Sequence, residues 1–180
     1  SYRFNQNQEN IKRAEEVLGG AITLGPTNQQ GYWQLAEAKV SQGKIQEAIP
    51  LLQKSVELEP RLGISHWYLA MAYKIVGQNQ LAKEEIIEAE KRGFNWRENL
   101  DNLRKVIDVY FSLNDNENLV PLYLKAIEME PGNDRFWASL AAVYANLGEF
   151  AQAREAAQKV IEIKPEMTSE VQKFLKTLPQ

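Results

Sequence analysis

Four prolines divide the chain at regular intervals, and their spacing limits the folds open to it more than any other feature. Each follows a run of apolar and acidic residues: Pro26, Pro60, Pro131 and Pro165. The interval from the first to the second equals the interval from the third to the fourth. The middle interval is twice as long with three residues added, so the spacing indicates a repeat array in which one period has lost its proline.

A second marker lies within each period, seventeen residues before its end. It is glycine or asparagine in every case: Gly43, Gly77, Asn114 and Gly148. These two residue types tolerate the left-handed conformation in which many helices end. Proline then prevents the following helix from continuing. Each period therefore predicts a helix, a tight turn, a second helix and a break.

Alignment on these markers also brings apolar residues into register. Two columns hold small or aliphatic residues: Ala36, Ala70, Ile107 and Ala141 in the first helix, and Ala48, Ala82, Leu119 and Ala153 in the second. Such columns let paired helices approach closely. Pro50 and Pro121 share another column, early in the second helix, where we expect a missing N–H to be tolerated. The predicted helix pairs are 29–42 and 45–58, 63–76 and 79–92, 97–113 and 116–129, and 134–147 and 150–163.

The pattern resembles the tetratricopeptide repeat (TPR), a helix-turn-helix unit of about 34 residues. Its signature is nearly complete in the last period: Trp137, Leu140, Ala141, Tyr144, Gly148, Phe150, Ala153, Ala157 and Pro165. The resemblance implies an all-α fold, a right-handed α-solenoid of antiparallel helix pairs. The implied division is a partial N-terminal repeat (1–28, second helix only), four repeats (29–62, 63–99 with a longer connection, 100–133 and 134–165) and a C-terminal capping helix (166–180).

In such a solenoid the first helices line a concave groove that binds partners. By position, the resemblance places ten candidate groove residues: Trp33, Glu37, Trp67, Tyr68, Met71, Arg104, Lys105, Asp108, Phe111 and Arg135. The aromatic residues and Met71 are expected to anchor an apolar side chain, and the basic residues to attract acidic groups. For Trp33 and Trp67, packing against neighbouring repeats is the alternative.

The predicted function is a non-catalytic scaffold that binds a protein or peptide segment in this groove. Two alternatives remain open. The segments WYLAMAYK and WASLAAVYANLGEF are similar to TPR tails of bacterial O-antigen ligase or polymerase-like membrane proteins, which would make the chain the soluble domain of a glycan-assembly protein. The other is a structural module that forms a homo-oligomer through the N-terminal half repeat, with a sticky surface of Tyr2, Phe4, Ile11, Val17 and Leu18.

Composition argues against catalytic chemistry. The chain has no cysteine and a single histidine, His66, which disfavours cysteine nucleophiles, zinc sites and histidine-based triads. His66 occupies an aromatic column, so we expect it to be packed. The nucleotide-binding, zinc-protease and serine-hydrolase motifs are missing from the sequence. We therefore expect no enzyme activity, no cofactor and no metal site.

Charge and apolar runs limit the partners further. The sequence has 21 Lys plus Arg and 24 Asp plus Glu, a net charge of −3, which does not favour nucleic acid. No run approaches the ~18 apolar residues of a membrane-spanning helix, so this fragment is not expected to insert into a membrane. The expected location is the cytoplasm, or an extracytoplasmic space if the chain belongs to a membrane protein.

Overall fold

The computed structural model describes the backbone of residues 2–179, and the side chains in that range except those of residues 2–8, 10, 11 and 14. This part of the chain contains ten α-helices: α1 (Tyr2–Leu24), α2 (Gln29–Ser41), α3 (Ile45–Leu58), α4 (Gly63–Ile75), α5 (Asn79–Lys91), α6 (Leu100–Ser112), α7 (Asn116–Met129), α8 (Asp134–Asn146), α9 (Phe150–Ile163) and α10 (Thr168–Thr177). Short 3-10 helices lie at Trp96–Glu98 and Pro165–Met167. None of the helices within residues 2–179 is both long and apolar enough to span a membrane.

The chain divides after Asn95 into two compact units. Unit 1 contains α1 to α5 and unit 2 contains α6 to α10. In each unit, every helix packs against the next one along the chain. The fold is therefore an all-α solenoid, and its helix pairs follow the periods that the prolines mark.

The turns within the helix pairs adopt the predicted left-handed conformation. The φ angle is 75° at Gly43 and Gly77, 78° at Gly148 and 53° at Asn114. Asparagine is one of the few residues other than glycine that reach this region without a large steric cost. Asn114 in the third repeat thus has the same left-handed backbone conformation as the glycines of the other three repeats.

Both predicted small-residue columns are buried. Their members are all core residues: Ala36, Ala70, Ile107 and Ala141, and Ala48, Ala82, Leu119 and Ala153. In unit 1 the four alanines are fully buried, so α2 and α4 approach their partner helices without an intervening side chain. Close packing of this kind loses stability with every added or removed methyl group.

The two column prolines lie in the first half of unbroken helices, but beyond the first turn. Pro50 and Pro121 are each the sixth residue of their helix, α3 and α7. At that place the missing N–H would have bonded to the carbonyl of Gln46 or Glu117, already within the helix. Both rings are exposed, and the packing of each helix on its neighbours outweighs the lost hydrogen bond.

Polar side chains connect the helices of unit 1. Lys39 of α2 forms ion pairs with Glu15 of α1 at 3.0 Å and with Glu47 of α3 at 2.8 Å. Gln29 Nε2 donates to the hydroxyls of Ser55 and Ser65, both fully buried, at 2.7 and 3.1 Å. These bonds satisfy polar groups that would otherwise be buried without a partner.

The first residue of α4 lies against the end of α5. A Cβ atom at Gly63 would stand 2.7 Å from the carbonyl oxygen of Ala89 and 3.0 Å from that of Arg92. The first contact is shorter than real Cβ atoms make and the second is unusually tight, and both are with backbone atoms, so glycine is required by space at this place. At this place the distance between α4 and the end of α5 is set by direct contact between their backbones.

Unit 2 has its own closing contacts. The Arg154 guanidinium of α9 donates to the carbonyl oxygens of Leu175, Leu178 and Pro179, which fastens α10 to α9. Trp96 is 1% exposed, and the Arg97 guanidinium lies 4.2 Å from the centre of its ring. The longer connection that precedes the third repeat therefore ends in a buried aromatic anchor.

Candidate partner-binding surfaces

A cavity of about 190 Å³ lies in unit 1 between α2 and α4, and we call it the unit 1 cavity. Its floor is formed by the buried side chains of Ala36, Leu52 and Ala72. The rest of the lining is a half-buried wall and an exposed rim: Trp33, Val40, Tyr68 and Met71 in the wall, and Glu37 and Ile75 at the rim. Glu37 is the one charged residue in this lining.

Trp33 and Tyr68 form the aromatic side of the cavity. Their ring centroids are 5.4 Å apart and their planes are inclined by 54°. Tilted pairs at this separation are favoured by the ring quadrupoles, and each ring limits the rotamers of the other. The first helices of two successive repeats, α2 and α4, thus present a fixed aromatic surface beside the flexible thioether of Met71.

Four of the ten predicted groove residues meet at this cavity: Trp33, Glu37, Tyr68 and Met71. Glu37 and Met71 hold the same place on α2 and α4, and Trp33 and Tyr68 lie about one turn before them, because residues three or four apart on a helix share a face. Neither the floor residues nor Val40 was predicted to line the groove. Ala36 and Ala72 are typical core residues by pattern, and only the spacing of the helices shows that a space lies above them.

Trp67 does not belong to this surface. Its side chain is 5% exposed and packs on Phe94, with ring centroids 5.0 Å apart. Trp67 is therefore a core residue that holds the end of the second repeat against α4, and the ring on which it packs belongs to its own repeat. A partner would reach little of its surface, so it is not an anchor for a bound side chain.

The other five predicted residues lie in unit 2. Arg104 pairs with Glu130 at 3.0 Å and with Asp101 at 3.6 Å, and its guanidinium lies 5.5 Å from the ring of Phe136. Lys105 and Arg135 are exposed, and so is Phe111, with 65% of its surface accessible. Arg104 is thus already engaged within its own unit, which leaves Lys105 and Arg135 as the accessible cations of this set.

Asp108, the remaining member, acts on a neighbouring tyrosine. Burial raises the pKa of the Tyr123 hydroxyl above its ordinary value, a hydrogen bond with Ser139 opposes this effect, and the negative charge of Asp108 adds to it. A carboxylate beside a buried phenol keeps the phenol neutral and able to donate a hydrogen bond. Asp108 therefore affects the interior of unit 2 as well as its surface.

A second cavity, of about 230 Å³, lies in unit 2 between α8, α9 and α10, and the sequence analysis missed it. Four alanines contribute to it: Ala138, Ala141, Ala142 and Ala157. Met167, Val171 and Phe174 lie on the opposite side. The available signal was the apolar stripe of Val171, Phe174 and Leu175 on the capping helix, since a stripe of this kind can face a space as well as a neighbouring helix.

Most of the predicted self-association surface lies outside the described side chains. The side chains of Tyr2, Phe4 and Ile11 are among those that the structure does not describe. Val17 is 71% exposed, and Leu18 is half-buried. Neither residue has a described contact that selects a second copy of the chain over any other neighbour.

Metal binding finds no support in the part of the chain that the structure describes. Among those residues, no group of three or more His, Asp or Glu side chains is placed to hold a metal ion. His66 is buried, with Nδ1 at 2.6 Å from Glu85 Oε2 and Nε2 at 3.1 Å from the Pro60 carbonyl oxygen. Both nitrogens are occupied by structural partners, as expected for a packed residue in an aromatic column.

Comparison with known proteins agrees with this architecture. Family models described as tetratricopeptide repeat match residues 29–62 and residues 122–155. The first match covers α2 and α3, and the second begins within α7 and ends within α9. No curated protein sequence matches the chain.

Solved structures share the fold. The crystal structure of MamA is 21% identical, with a TM-score of 0.68, and the match covers 91% of this chain and 94% of that one. MamA from Desulfovibrio magneticus RS-1, residue 41 to the end, is 17% identical, with a TM-score of 0.61 and coverage of 83% and 82%. YrrB, described as a TPR protein with an unusual peptide-binding site, is 18% identical, with a TM-score of 0.65 and coverage of 87% and 79%.

At these identities the likeness to the solved structures concerns the fold alone. The repeat matches come from the sequence, and they fall on helices that the structure pairs as the period predicts. Sequence and fold thus lead to the same assignment. The chain contains tetratricopeptide repeats.

Proposed function

We propose that the chain is a non-catalytic protein-interaction module, and that unit 1 binds a segment of a partner protein with an apolar side chain seated in the unit 1 cavity. The observation that carries this proposal is the cavity itself, where Trp33, Tyr68 and Met71 surround an accessible apolar space. Aromatic residues beside a space that a side chain can enter are the usual centres of binding energy in protein interfaces.

The lining of the unit 1 cavity favours the side chain of a bound protein segment over a small-molecule ligand. Small-molecule sites combine an apolar pocket with several converging polar groups that fix the orientation of the ligand. The unit 1 cavity has one carboxylate at its rim and a floor of Ala36, Leu52 and Ala72, which offers no polar side chain. An apolar side chain on an extended or helical segment needs no polar group at the floor. The printed description of YrrB, a protein of the same fold, names a peptide-binding site.

The three methionines of the chain provide a direct test. Met71 lines the unit 1 cavity, Met167 lines the unit 2 cavity, and Met129 lines neither of the two. The protein labelled with 13C in its methionine methyl groups should give three signals. Dodecapeptides selected from a random display library on the intact chain are then titrated into it. We expect the Met71 signal to shift and the Met129 signal to remain in place.

Two variants separate this site from the surface of unit 2. We expect Tyr68→Ala to weaken the selected peptides about tenfold or more, as truncation of a central anchor does. Phe111→Ala removes an exposed aromatic ring of unit 2 and should leave the affinity within twofold. The proposal fails if the library yields no binder, or if folded Tyr68→Ala binds as the wild type does. Shifts at Met167 alone would assign binding to unit 2 instead.

A further inference from the structure

We propose that the segment bound by unit 1 is basic: its apolar side chain enters the unit 1 cavity, and a Lys or Arg beside it pairs with Glu37 at the rim. This inference rests on the proposed function and adds the chemistry of the partner. It differs from the expectation drawn from the sequence, in which Arg104, Lys105 and Arg135 attract acidic groups to the groove.

Glu37 differs from the paired carboxylates of unit 1. Lys39 holds Glu15 and Glu47, Lys91 and Arg92 hold Glu88, and His66 holds Glu85. Glu37 is exposed, and among the described side chains it has neither an ion pair nor a hydrogen bond. Its charge is therefore available to a partner without the loss of an existing bond.

The aromatic rings of the cavity add to the same preference. The faces of Trp33 and Tyr68 carry the negative part of the ring quadrupole and attract cations. A carboxylate and two ring faces at one opening favour a cation and disfavour an anion. The nearest lysine along α2, Lys39, is engaged by Glu15 and Glu47 and does not line the cavity.

The burial of the lining decides where the cation must lie. The floor residues Ala36, Ala72 and Leu52 are 0%, 2% and 3% exposed, and their side chains offer no hydrogen-bond acceptor. An ammonium or guanidinium at the floor would lose its water without gaining a partner, which is costly. The cation therefore belongs at the rim with Glu37, and the cavity takes a separate, apolar side chain. The partner segment must carry both groups close together.

The preference is expected to be local, because unit 1 as a whole has no excess charge. Residues 1–95 contain 11 Lys plus Arg and 11 Asp plus Glu. A neutral unit exerts little long-range attraction on a basic chain, so selection of basic peptides would have to arise at the site.

The experiment is a selection from a random dodecapeptide display library in which Lys and Glu are equally frequent. We expect peptides selected on the intact wild-type chain to carry an apolar residue followed or preceded within four positions by Lys or Arg. On Glu37→Gln this enrichment should disappear, and on Glu37→Lys it should change to Asp and Glu. For the best wild-type peptide, Glu37→Gln should reduce affinity about two- to fivefold at low salt, the range of an exposed ion pair.

A matched variant controls for the change in net charge. Glu57→Gln removes an exposed carboxylate of α3 that pairs with Lys54, away from the cavity, and should leave the peptide affinity unchanged. Tyr68→Ala separates the two proposals. If wild-type peptides depend on Tyr68 but show no basic preference, or are acidic, the present inference is overturned and the proposed function stands. If no peptide depends on Tyr68, both are overturned.

Discussion

His66 and Glu85 join α4 to α5 through a contact of 2.6 Å between Nδ1 and Oε2, where the histidine is 5% exposed. The other ring nitrogen lies 3.1 Å from the carbonyl oxygen of Pro60, which also accepts a hydrogen bond from Arg92 Nε. One side chain thus connects the first helix, the second helix and the preceding linker of the second repeat. A histidine at an aromatic column serves this purpose because it adds two polar contacts to a flat ring.

We expect His66→Phe to lower the free energy of unfolding by about 1–3 kcal/mol, because it leaves the part-buried Glu85 without its partner. Urea denaturation followed by circular dichroism measures this change. Tyr32→Phe, in the same column of the first repeat, should change stability by less than about 0.5 kcal/mol. His66→Phe combined with Glu85→Leu should recover much of the loss. Equal stability of His66→Phe and the wild type would contradict the role given to this contact.

Pro50 provides a substitution that should stabilise the protein. Pro50→Ala restores the N–H that can bond to the Gln46 carbonyl within α3, and it removes the crowding of the ring against that turn. A proline restricts the unfolded chain, and its loss offsets part of the gain. We expect a net rise of about 1–2 kcal/mol in the free energy of unfolding. Pro121→Ala in α7 repeats the test in unit 2, and a loss of stability in both variants would refute the argument.

The left-handed turns can be tested at Gly77. We expect Gly77→Ala to cost about 1–2 kcal/mol, because φ is 75° there and a Cβ atom then approaches the backbone. Gly132→Ala is the matched control, since it lies in open space without a positive φ, and it should be neutral or slightly stabilising. The comparison uses thermal and urea unfolding of both variants. If the two variants lose stability equally, the cost belongs to the side chain and not to the backbone conformation.

Glu88 is expected to make the free energy of unfolding depend on pH, and the direction of this dependence follows from its pKa. Hydrogen bonds from Lys91 and from Arg92 hold the pKa of Glu88 below its ordinary value. The unfolded chain therefore binds this proton more readily than the folded chain does, so the ion pairs stabilise the fold above the ordinary glutamate pKa. This stabilisation is lost as the pH falls through the lower, folded-state value.

The measurement compares the wild type with Glu88→Gln in urea at several pH values. We expect Glu88→Gln to be the less stable protein at pH 7, and the difference to shrink towards pH 3. It should also shrink at high salt, because the pair is partly exposed and therefore screened. A difference that is constant with pH would show that the charge of Glu88 is not the cause.

Much of the fold could be predicted from the sequence because helix positions depend on local signals. Proline, left-handed glycine and the small-residue columns each act within one or two turns of a helix, and the structure confirms their effect at Gly43, Asn114 and Ala36. Pro50 shows the limit of such signals. Packing along the whole of α3 overrides a local penalty that the sequence makes visible.

The candidate site could be predicted only in part, because it depends on spaces between helices. Trp33 and Trp67 hold the same place in successive repeats, yet one lines a cavity and the other is covered by Phe94. The difference lies at Phe94, which ends the second period at the place where the first period has Pro60. The position of the alanines that line the unit 2 cavity could not be predicted either, since an alanine column has the same sequence pattern whether it faces a helix or an open space.

Gly63 has a consequence for the exchange of repeats between proteins. Since the start of α4 rests directly on the last turn of α5, the second repeat contains a fixed internal distance that a standard repeat with a larger first residue does not reproduce. A hybrid array could therefore accept this repeat as one block from Gly63 to Phe94, but not its two helices separately. The smallest interchangeable part of this stretch is the pair, and the single helix is not a module.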